Sequence, residues 1–414
     1  MNKFIKFSVL CLSLGACAPP SPPPDGAPSD AGRPVGTQIA VTVRGNVIYL
    51  PASFNGAIAR PVPLDTGSPV TIVDPVVFSD AMISPGTSQT GSVGVGPLSF
   101  ENVSIVGMSP CGATACPADT FTALVSGSVF SQTEVSLNYR DSNISLGEFE
   151  LPELLAPEET SVDFKLEGGG LAAIPGVTGY VQLPATRIVV PVKLEGVDYT
   201  FIVDTGASLN VLGPDLFNKL VSDGRGHVGL KVLAIGGSVD VQATRIRRIE
   251  VGGVEVVGAT ALTGPFNLDA LGQEVGHRVD GLLGGTFLRE FLFKVRYPSR
   301  KLGLRRYTDR SFIADEFRRI GLTLKVVEGS AGHQFTTDVV FPGSDAAINP
   351  AVPLGFWGGK VLEIDGHSLD GLHSDDVDVL LRGRVGEHRT VKVLSAGNAV
   401  LSFSFLVQEL LPLP

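Results

Sequence analysis

One short motif occurs twice in this sequence, and the duplication constrains the fold more than any other feature. Asp65-Thr66-Gly67 recurs 139 residues later as Asp204-Thr205-Gly206. Apolar stretches flank each copy, which predicts a buried strand that ends in a turn. A single copy is typical of an ordinary turn, in which Asp and Thr bond nearby main-chain groups. Two copies in matched settings instead predict two related lobes that bring the candidate catalytic residues, Asp65 and Asp204, together as an acid/base pair.

The residues after each motif repeat in the same register. Pro75 and Phe78 return as Pro214 and Phe217 at the same offset. Short Val- and Ile-rich runs are interrupted by 50 glycines and 29 prolines, which favours mostly β structure. The 414 residues are enough for two or three domains. We predict a first lobe over 37–151, an inter-lobe connection over 152–179 and a second lobe over 180–307.

The first 36 residues predict export and a membrane anchor. Two lysines precede an apolar run over 7–14 that is too short to span a bilayer, as in a secretory signal peptide over 1–16. The residues Leu14-Gly15-Ala16-Cys17 resemble the lipobox of bacterial lipoproteins, which implies lipidation of Cys17. The Pro-rich stretch over 17–36 would then be a tether, and the protein would face the periplasm from the bacterial cell envelope. An ordinary signal-peptide cleavage is the alternative.

Two further cysteines, Cys111 and Cys116, lie five apart in a loop that contains Gly and Pro. Because an exported protein meets a compartment that permits disulfides, we predict a disulfide between them. A metal site would need two more ligands, and the six histidines lack ligand spacing, so no metal is expected. The net charge of −10, with no basic cluster beyond residues 245–248, argues against nucleic acid as a partner.

A later segment makes a family resemblance specific. Asp280-Gly281-Leu282-Leu283-Gly284 supplies the two apolar residues and Gly that close each lobe of the pepsin-like and retropepsin-like aspartic proteases. Over residues 40–305 the chain resembles two retropepsin-like lobes in tandem. The resemblance implies two β lobes, protein or peptide substrates, and no cofactor. The first lobe departs from the pattern, because Ser126 stands where an apolar residue is expected.

The resemblance also implies roles for the residues beside the two carboxylates. Thr66 and Thr205 would cross-link the two loops through their hydroxyl groups, and Gly67 and Gly206 would allow close backbone approach. Two carboxylates held close share one proton, so that one is a base and the other an acid at the same pH. The base would activate a water molecule, and the acid would protonate the carbonyl oxygen of the bond to be cut.

The neighbours of the two motifs differ in one respect. The hydroxyl of Ser68 can donate a hydrogen bond to Asp65, which favours the charged form of that carboxyl, whereas Ala207 offers Asp204 no such donor. We therefore expect Asp65 to be the ionised member of the pair, although two coupled groups titrate jointly.

Hairpin flaps are expected to cover an extended substrate. Ile235-Gly236-Gly237-Ser238 is the predicted flap tip of the second lobe, which makes Gly236 and Gly237 candidate flap residues. Gly94-Val95-Gly96 is a weaker counterpart in the first lobe. The alternative for both segments is a plain β-turn.

Residues 310–414 differ in sequence pattern from the two lobes and resemble a small α/β PDZ domain of the bacterial type. The segments over 340–347 and 359–366 carry the resemblance, and Ser374 to Leu381 is the expected helix. PDZ grooves bind free C-termini by strand addition, and Ile320, Gly321 and Leu322 are the candidate groove residues. Gly358-Gly359-Lys360 stands where the family usually has Gly-Asp, so a generic small α/β module is the alternative.

The leading functional hypothesis is a lipid-anchored aspartic endopeptidase with a PDZ-like domain that captures substrate or regulates cleavage. An inactive peptide-binding envelope lipoprotein is the alternative from another class. Two further hypotheses are an enzyme that pairs the second lobes of two chains, and a lipoprotein that binds carbohydrate or lipid. Intact Asp-Thr-Gly motifs in both lobes favour the enzyme.

Overall fold

Strands account for 49% of the structure and helices for 11%, which confirms the predicted mostly β fold. The computed structural model of the chain describes residues 36–110, 121–147, 156, 158–234, 237–309, 311–313, 316–329 and 332–413. No helix in these ranges is long and apolar enough to cross a membrane.

The first lobe is a sheet that curls around the strand ending at Asp65. Alternating side chains of β3 (Val47–Phe54) are fully buried from Ile48 to Phe54, as the two-residue period of a strand requires. Strand β3 pairs with both β4 and β6, which closes the sheet on itself. The strands are β1 (Thr37–Ala40), β2 (Thr42–Arg44), β3 (Val47–Phe54), β4 (Arg60–Asp65), β5 (Thr71–Val73), β6 (Thr87–Val95), β7 (Leu98–Gly107), β8 (Ala123–Ser126), β9 (Glu134–Asn138) and β10 (Asn143–Leu146), with short 3-10 helices at Ser79–Ala81 and Gly127–Phe130.

The inter-lobe connection contains strands of its own. They are β11 (Thr160–Asp163), β12 (Lys165–Glu167) and β13 (Gly170–Ala172), and β13 pairs with β14 (Val181–Leu183) at the start of the predicted second lobe. The hairpin of β13 and β14 packs its apolar side chains on Val70, Ile72 and Leu124 of the first lobe. The connection therefore braces the first lobe close to its Asp-Thr-Gly loop.

The second lobe repeats the topology of the first and adds helices. In both lobes the strand after the motif pairs parallel with one neighbour and antiparallel with another, through Ile72 in the first lobe and Val211 in the second. Its elements are β15 (Arg187–Leu194), β16 (Val197–Val203), β17 (Asn210–Leu212), α1 (Pro214–Val221), β18 (His227–Ala234), β19 (Gly237–Arg245), β20 (Arg248–Val251), β21 (Val254–Val257), β22 (Thr260–Thr263), α2 (Leu268–Val275), β23 (Gly281–Leu283), α3 (Gly285–Leu288), β24 (Phe291–Arg296) and β25 (Lys301–Arg306).

A shared sheet joins the two lobes. Within the described ranges its order is β1-β10-β9-β24-β25-β11, so the central pair, β9 with β24, takes one strand from each lobe. The side chains of Leu137, Phe293 and Val295 at this junction are buried. The lobes are thus held together by main-chain hydrogen bonds and a common apolar core.

The C-terminal domain is a curled sheet with short helices. It has the helix expected from Ser374 to Leu381, which ends one residue earlier than predicted, at Leu380. Its elements are β26 (Arg318–Arg319), β27 (Leu322–Gly329), β28 (Gly332–Val340), α4 (Asp345–Ile348), β29 (Lys360–Ile364), β30 (His367–Ser368), α5 (Ser374–Leu380), β31 (His388–Leu394), β32 (Val400–Leu406) and β33 (Gln408–Glu409), with a 3-10 helix at Leu354–Phe356.

The C-terminal domain is fixed to the second lobe through a buried arginine. The guanidinium of Arg245 is 1% exposed and donates to the carbonyl oxygens of Leu411 at 3.0 Å and Ile313 at 2.9 Å. Glu409 lies 3.4 Å away and Glu316 lies 3.7 Å away, which offsets the cost of burying the charge. Apolar side chains from both domains continue the contact in one hydrophobic cluster.

Candidate active site

The two Asp-Thr-Gly loops meet where the lobes touch. Asp65 ends β4, which pairs parallel with β8, and Asp204 follows β16, which pairs parallel with β23. A methyl group at Gly67 would lie 2.6 Å from the Cγ atom of Asp204, and one at Gly206 would lie 2.7 Å from the Cγ atom of Asp65. Each glycine is therefore needed because the carboxyl group of the opposite lobe occupies the space of a side chain.

Four hydrogen bonds between Thr66 and Thr205 and the opposite loops hold the site together. The Thr66 hydroxyl donates to the carbonyl oxygen of Val203 at 2.9 Å and accepts from the N–H of Thr205 at 3.1 Å. The Thr205 hydroxyl donates to the carbonyl oxygen of Leu64 at 2.8 Å and accepts from the N–H of Thr66 at 3.0 Å. Both side chains are buried, so each hydroxyl satisfies an N–H and a C=O that water cannot reach.

The carboxyl groups of Asp65 and Asp204 are hydrogen-bonded to each other. Burial, and next the charge of Asp204, raise the pKa of Asp65 well above its usual range. Burial also raises the pKa of Asp204, but hydrogen bonds from Asp65 and from two main-chain N–H groups oppose the rise. The two carboxyl groups therefore share one proton, and two main-chain N–H groups on Asp204 against one on Asp65 favour the charge on Asp204.

These hydrogen bonds argue against the expectation that Asp65 is the ionised member. The Ser68 hydroxyl donates to the carbonyl oxygen of Val70 at 2.7 Å, so only the Ser68 N–H reaches Asp65, at 2.9 Å. Asp204 accepts two such bonds, from Gly206 at 2.9 Å and Ala207 at 3.1 Å. The main chain thus stabilises the charge on Asp204 more than on Asp65. The side chain that follows each Asp-Thr-Gly motif does not determine which carboxyl group is charged.

Ser126 has a structural role in place of the apolar residue that the family pattern leads one to expect. Its side chain is fully buried, and its hydroxyl donates to the carbonyl oxygen of Ser68 at 2.7 Å and accepts from the N–H of Ser128 at 3.1 Å. The hydroxyl is therefore satisfied and ties the first Asp-Thr-Gly loop to β8.

Sequence reasoning missed a buried ion pair beside the two aspartates. Arg187 and Glu274 have side chains that are 3% and 0% exposed, and they form two parallel hydrogen bonds of 2.7 and 2.9 Å. The remaining guanidinium nitrogen donates to the carbonyl oxygen of Gly67 in the other lobe. Its positive charge acts to lower the pKa of both aspartates. No sequence signal joins these residues, which lie 87 positions apart.

Both carboxyl groups open into a cavity of about 360 Å³. Most of its wall is apolar, as in typical ligand sites. Its lining draws on both lobes and also on the C-terminal domain, which contributes His373 and Ser374 at the start of α5. The apolar lining residues are Val47, Pro63, Phe121, Leu124, Leu209, Val211, Val232, Leu262, Phe266 and Leu282.

The predicted flap of the second lobe is a hairpin over this cavity. Its strands β18 and β19 are paired through to Ala234 and Gly237, and Val232 on β18 lines the cavity. Gly237 begins β19, whereas Ile235 and Gly236 lie outside the described residues.

The prediction of a flap in the first lobe was wrong. Gly94-Val95-Gly96 belongs to the hairpin of β6 and β7, where Val95 is fully buried and pairs with Ala52. None of these three residues lines the cavity. The first lobe lacks a strand equivalent to β18 because the segment before β6 is too short. Only residues 82–86 separate the 3-10 helix at Ser79–Ala81 from β6.

The candidate groove residues of the C-terminal domain lie in its interior. Ile320, Gly321 and Leu322 are all buried. The N–H of Ile320 donates to the carbonyl oxygen of Leu381 at 3.1 Å and is therefore not available to a peptide carboxylate. Cys17, Cys111 and Cys116 lie outside the described residues. Among the described residues, no group of three or more His, Cys, Asp and Glu side chains is placed to hold a metal ion.

Comparison with known proteins agrees with this geometry. Residues 190–287, which include the second Asp-Thr-Gly motif and β23, match the sequence model of the family described as "Aspartyl protease". The match supports the assignment of the chain to the hydrolases, as an aspartic-type peptidase. No curated protein matches the chain.

Two solved structures are similar to parts of the chain. An aspartic proteinase from Irpex lacteus is 15% identical, with a TM-score of 0.41, and the alignment covers 67% of this chain and 99% of that one. A retropepsin-like aspartic protease from Rickettsia conorii is 18% identical, with a TM-score of 0.25, covering 37% and 96%. At these values neither likeness assigns an activity.

Burial of the aspartates predicts a pH-dependent stability. The pKa of Asp65 is higher in the folded chain than in the unfolded one, so the folded state binds more protons between the two values and stability falls as pH rises through them. We expect Asp65→Asn to stabilise the protein at pH 7 and to change little near pH 3, below the unfolded pKa of about 3.9. Urea unfolding at both pH values measures this difference.

Asp80→Asn is the matched control for that measurement. A hydrogen bond from the N–H of Ile58 lowers the pKa of Asp80, so its charge favours folding above the unfolded pKa and this contribution is lost as pH falls. The control should therefore change stability in the opposite direction at pH 7. A destabilising Asp65→Asn at pH 7 would contradict a buried, proton-sharing pair.

Proposed function

We propose that this protein is an aspartic endopeptidase whose active site is complete within one chain. The observation that carries the proposal is the hydrogen-bonded pair of Asp65 and Asp204, half-buried at the floor of a largely apolar cavity. Because the two loops meet inside one chain, pairing the second lobes of two chains is not needed to assemble the site. The fixed pair also favours an enzyme over an inactive peptide-binding protein.

The charges assign a role to each carboxyl group. Asp204, whose charge the main-chain N–H groups favour, takes a proton from a bound water as the water oxygen attacks the peptide carbonyl, while Asp65 gives its proton to the carbonyl oxygen. The tetrahedral intermediate then collapses. Asp204 passes its proton to the leaving amine, and a hydroxyl proton of the intermediate returns to Asp65. The pair ends as it began, with one proton shared between two carboxyl groups.

Loss of either carboxyl group should abolish cleavage. We expect Asp65→Asn and Asp204→Asn each to lower kcat/KM for a denatured model protein at least about 100-fold between pH 4 and 7, since each removes the acid or the base. Asp80→Asn should retain activity because Asp80 lies outside the cavity. Cleavage that survives in Asp65→Asn but not in Asp204→Asn would argue for an enzyme that pairs the second lobes of two chains. Cleavage that is absent from the parent across this range would argue for the peptide-binding alternative.

We further propose that the C-terminal domain acts on substrate by completing the cleft. This role is supported by His373 and Ser374 in the cavity wall and by the buried contact of Arg245 with Leu411, which fixes the domain in place. Capture of free C-termini at Ile320, Gly321 and Leu322 would require that buried loop to open. Direct contact at the cleft needs no such change.

A bulky residue at position 374 tests this role. We expect Ser374→Trp to lower kcat/KM about tenfold or more, because the indole would intrude on the bound peptide. Ser402→Trp is the control, since Ser402 is an exposed position of β32 in the same domain. Equal activity of the two variants would contradict a role of this domain in the cleft.

The location is a separate proposal that rests on sequence alone. A basic leader and the lipobox-like residues before Cys17 support a lipid-anchored protein that faces the periplasm. A mature N-terminal peptide that lacks lipid on Cys17 would rule out the anchor.

A further inference from the structure

The charged groups of the cavity are few and unevenly placed. Among the lining residues that the structure describes, the acids are Asp65 and Asp204, and the basic side chains are Arg44 and His373. Resting on the function proposed above, we propose that Arg44 forms a subsite for an acidic side chain of the peptide substrate. The endopeptidase would therefore prefer sequences with Glu or Asp near an apolar cleavage site.

Half-buried Arg44 differs from the fully buried arginines in having no carboxylate partner. Arg187, Arg245 and Arg289 each have a carboxylate oxygen within 4.0 Å. No carboxylate of the described residues lies within that distance of Arg44, and its buried Nε atom has no hydrogen-bond partner there. The Cζ atom lies 5.8 Å from the ring centroid of Tyr49, another cavity residue. A half-buried guanidinium without an anion is costly, and a carboxylate from a ligand would offset that cost.

The turn beside Arg44 is held rigidly, as a preformed subsite requires. Arg44 ends β2 and pairs with Val47 across a two-residue turn whose residues, Gly45 and Asn46, have φ of 50° and 70°. Positive φ at both positions is the signature of a tight hairpin turn. The backbone beside Arg44 therefore has little freedom, and the side chain projects from a fixed point on the cavity wall.

Contacts with the second lobe anchor the same turn. The side-chain amide of Asn46 donates to the carbonyl oxygen of Ser208 at 3.0 Å, and its oxygen accepts from Arg289 at 2.5 Å. Ser208 follows the second Asp-Thr-Gly motif by two residues and also lines the cavity. The position of Arg44 is therefore tied to the catalytic loop, so that an acid bound by Arg44 sits at a fixed place relative to the bond that is cut.

The chemistry of the site favours a carboxylate over other anions. An arginine fork binds a carboxylate through two parallel hydrogen bonds, which gives both strength and orientation. Substrates are peptides if the proposed function holds, and Glu and Asp are the carboxylates that a peptide carries along its length. The remaining wall is apolar, so flanking residues of the substrate are expected to be apolar as well.

The first experiment locates the acidic position. A peptide library randomised within four residues of an apolar pair is digested at pH 5.5, where Glu is ionised (pKa about 4.3), and the products are sequenced by mass spectrometry. We expect Glu and Asp to be enriched at one position, and the enrichment to be lost in Arg44→Gln. An unchanged pattern in that variant, or no acidic preference in the parent, would overturn the subsite.

The second experiment uses matched peptides with Glu or Gln at that position. We expect the parent to show at least a tenfold higher kcat/KM for Glu, and Arg44→Gln to show less than a threefold difference. Arg384→Gln, at an exposed arginine outside the cavity, should keep the parental ratio. If His373→Gln instead removes the preference and Arg44→Gln does not, the assignment to Arg44 is wrong.

A binding measurement separates the subsite from the catalytic proposal. Fluorescence anisotropy with Asp204→Asn protein and a labelled panel that carries Glu or Gln at each of the four positions needs no cleavage. At least tenfold tighter binding of one Glu peptide, lost when Arg44→Gln is added, supports the subsite even if the parent cuts nothing. Equal binding of every Glu and Gln pair would overturn the subsite even if the parent is an active protease.

Discussion

The structure depends on the four hydrogen bonds that Thr66 and Thr205 make across the lobe boundary. Each hydroxyl bonds an N–H and a C=O of the opposite loop, so neither lobe can satisfy its buried main-chain groups alone. The same bonds fix Asp65 and Asp204 in contact. Burial and proximity then force the pair to share a proton, and this shared proton is the origin of the proposed chemistry.

Longer-range contacts keep that small junction in place. Strands β9 and β24 join the lobes in one sheet, and Arg187 and Asn46 reach across the boundary in opposite directions, to Gly67 and Ser208. The C-terminal domain is fixed by the buried charge of Arg245 and extends the cleft. The cavity is therefore built from three parts of the chain.

The two-lobed β fold and the pairing of Asp65 with Asp204 could be predicted from local sequence. The duplicated motif is recognised from strand period, turn chemistry and its repetition alone. Other features depend on contacts between distant positions. Arg187 meets Glu274, and Arg44 owes its place to a turn anchored at Ser208, so neither gives a local signal. The hydrogen bond predicted from the Ser68 hydroxyl to Asp65 is not formed. The same hydroxyl can bond either Asp65 or the nearby carbonyl of Val70, and the loop geometry selects Val70.

The central claim is that one chain holds one complete carboxyl pair. Its most direct test is titration of the protein, by calorimetry, with a peptide in which a secondary alcohol replaces the bond to be cut and mimics the tetrahedral intermediate. One molecule bound per chain, with binding lost in both Asp65→Asn and Asp204→Asn, is the predicted result. One molecule per two chains, or binding that is insensitive to Asp65→Asn, would contradict it.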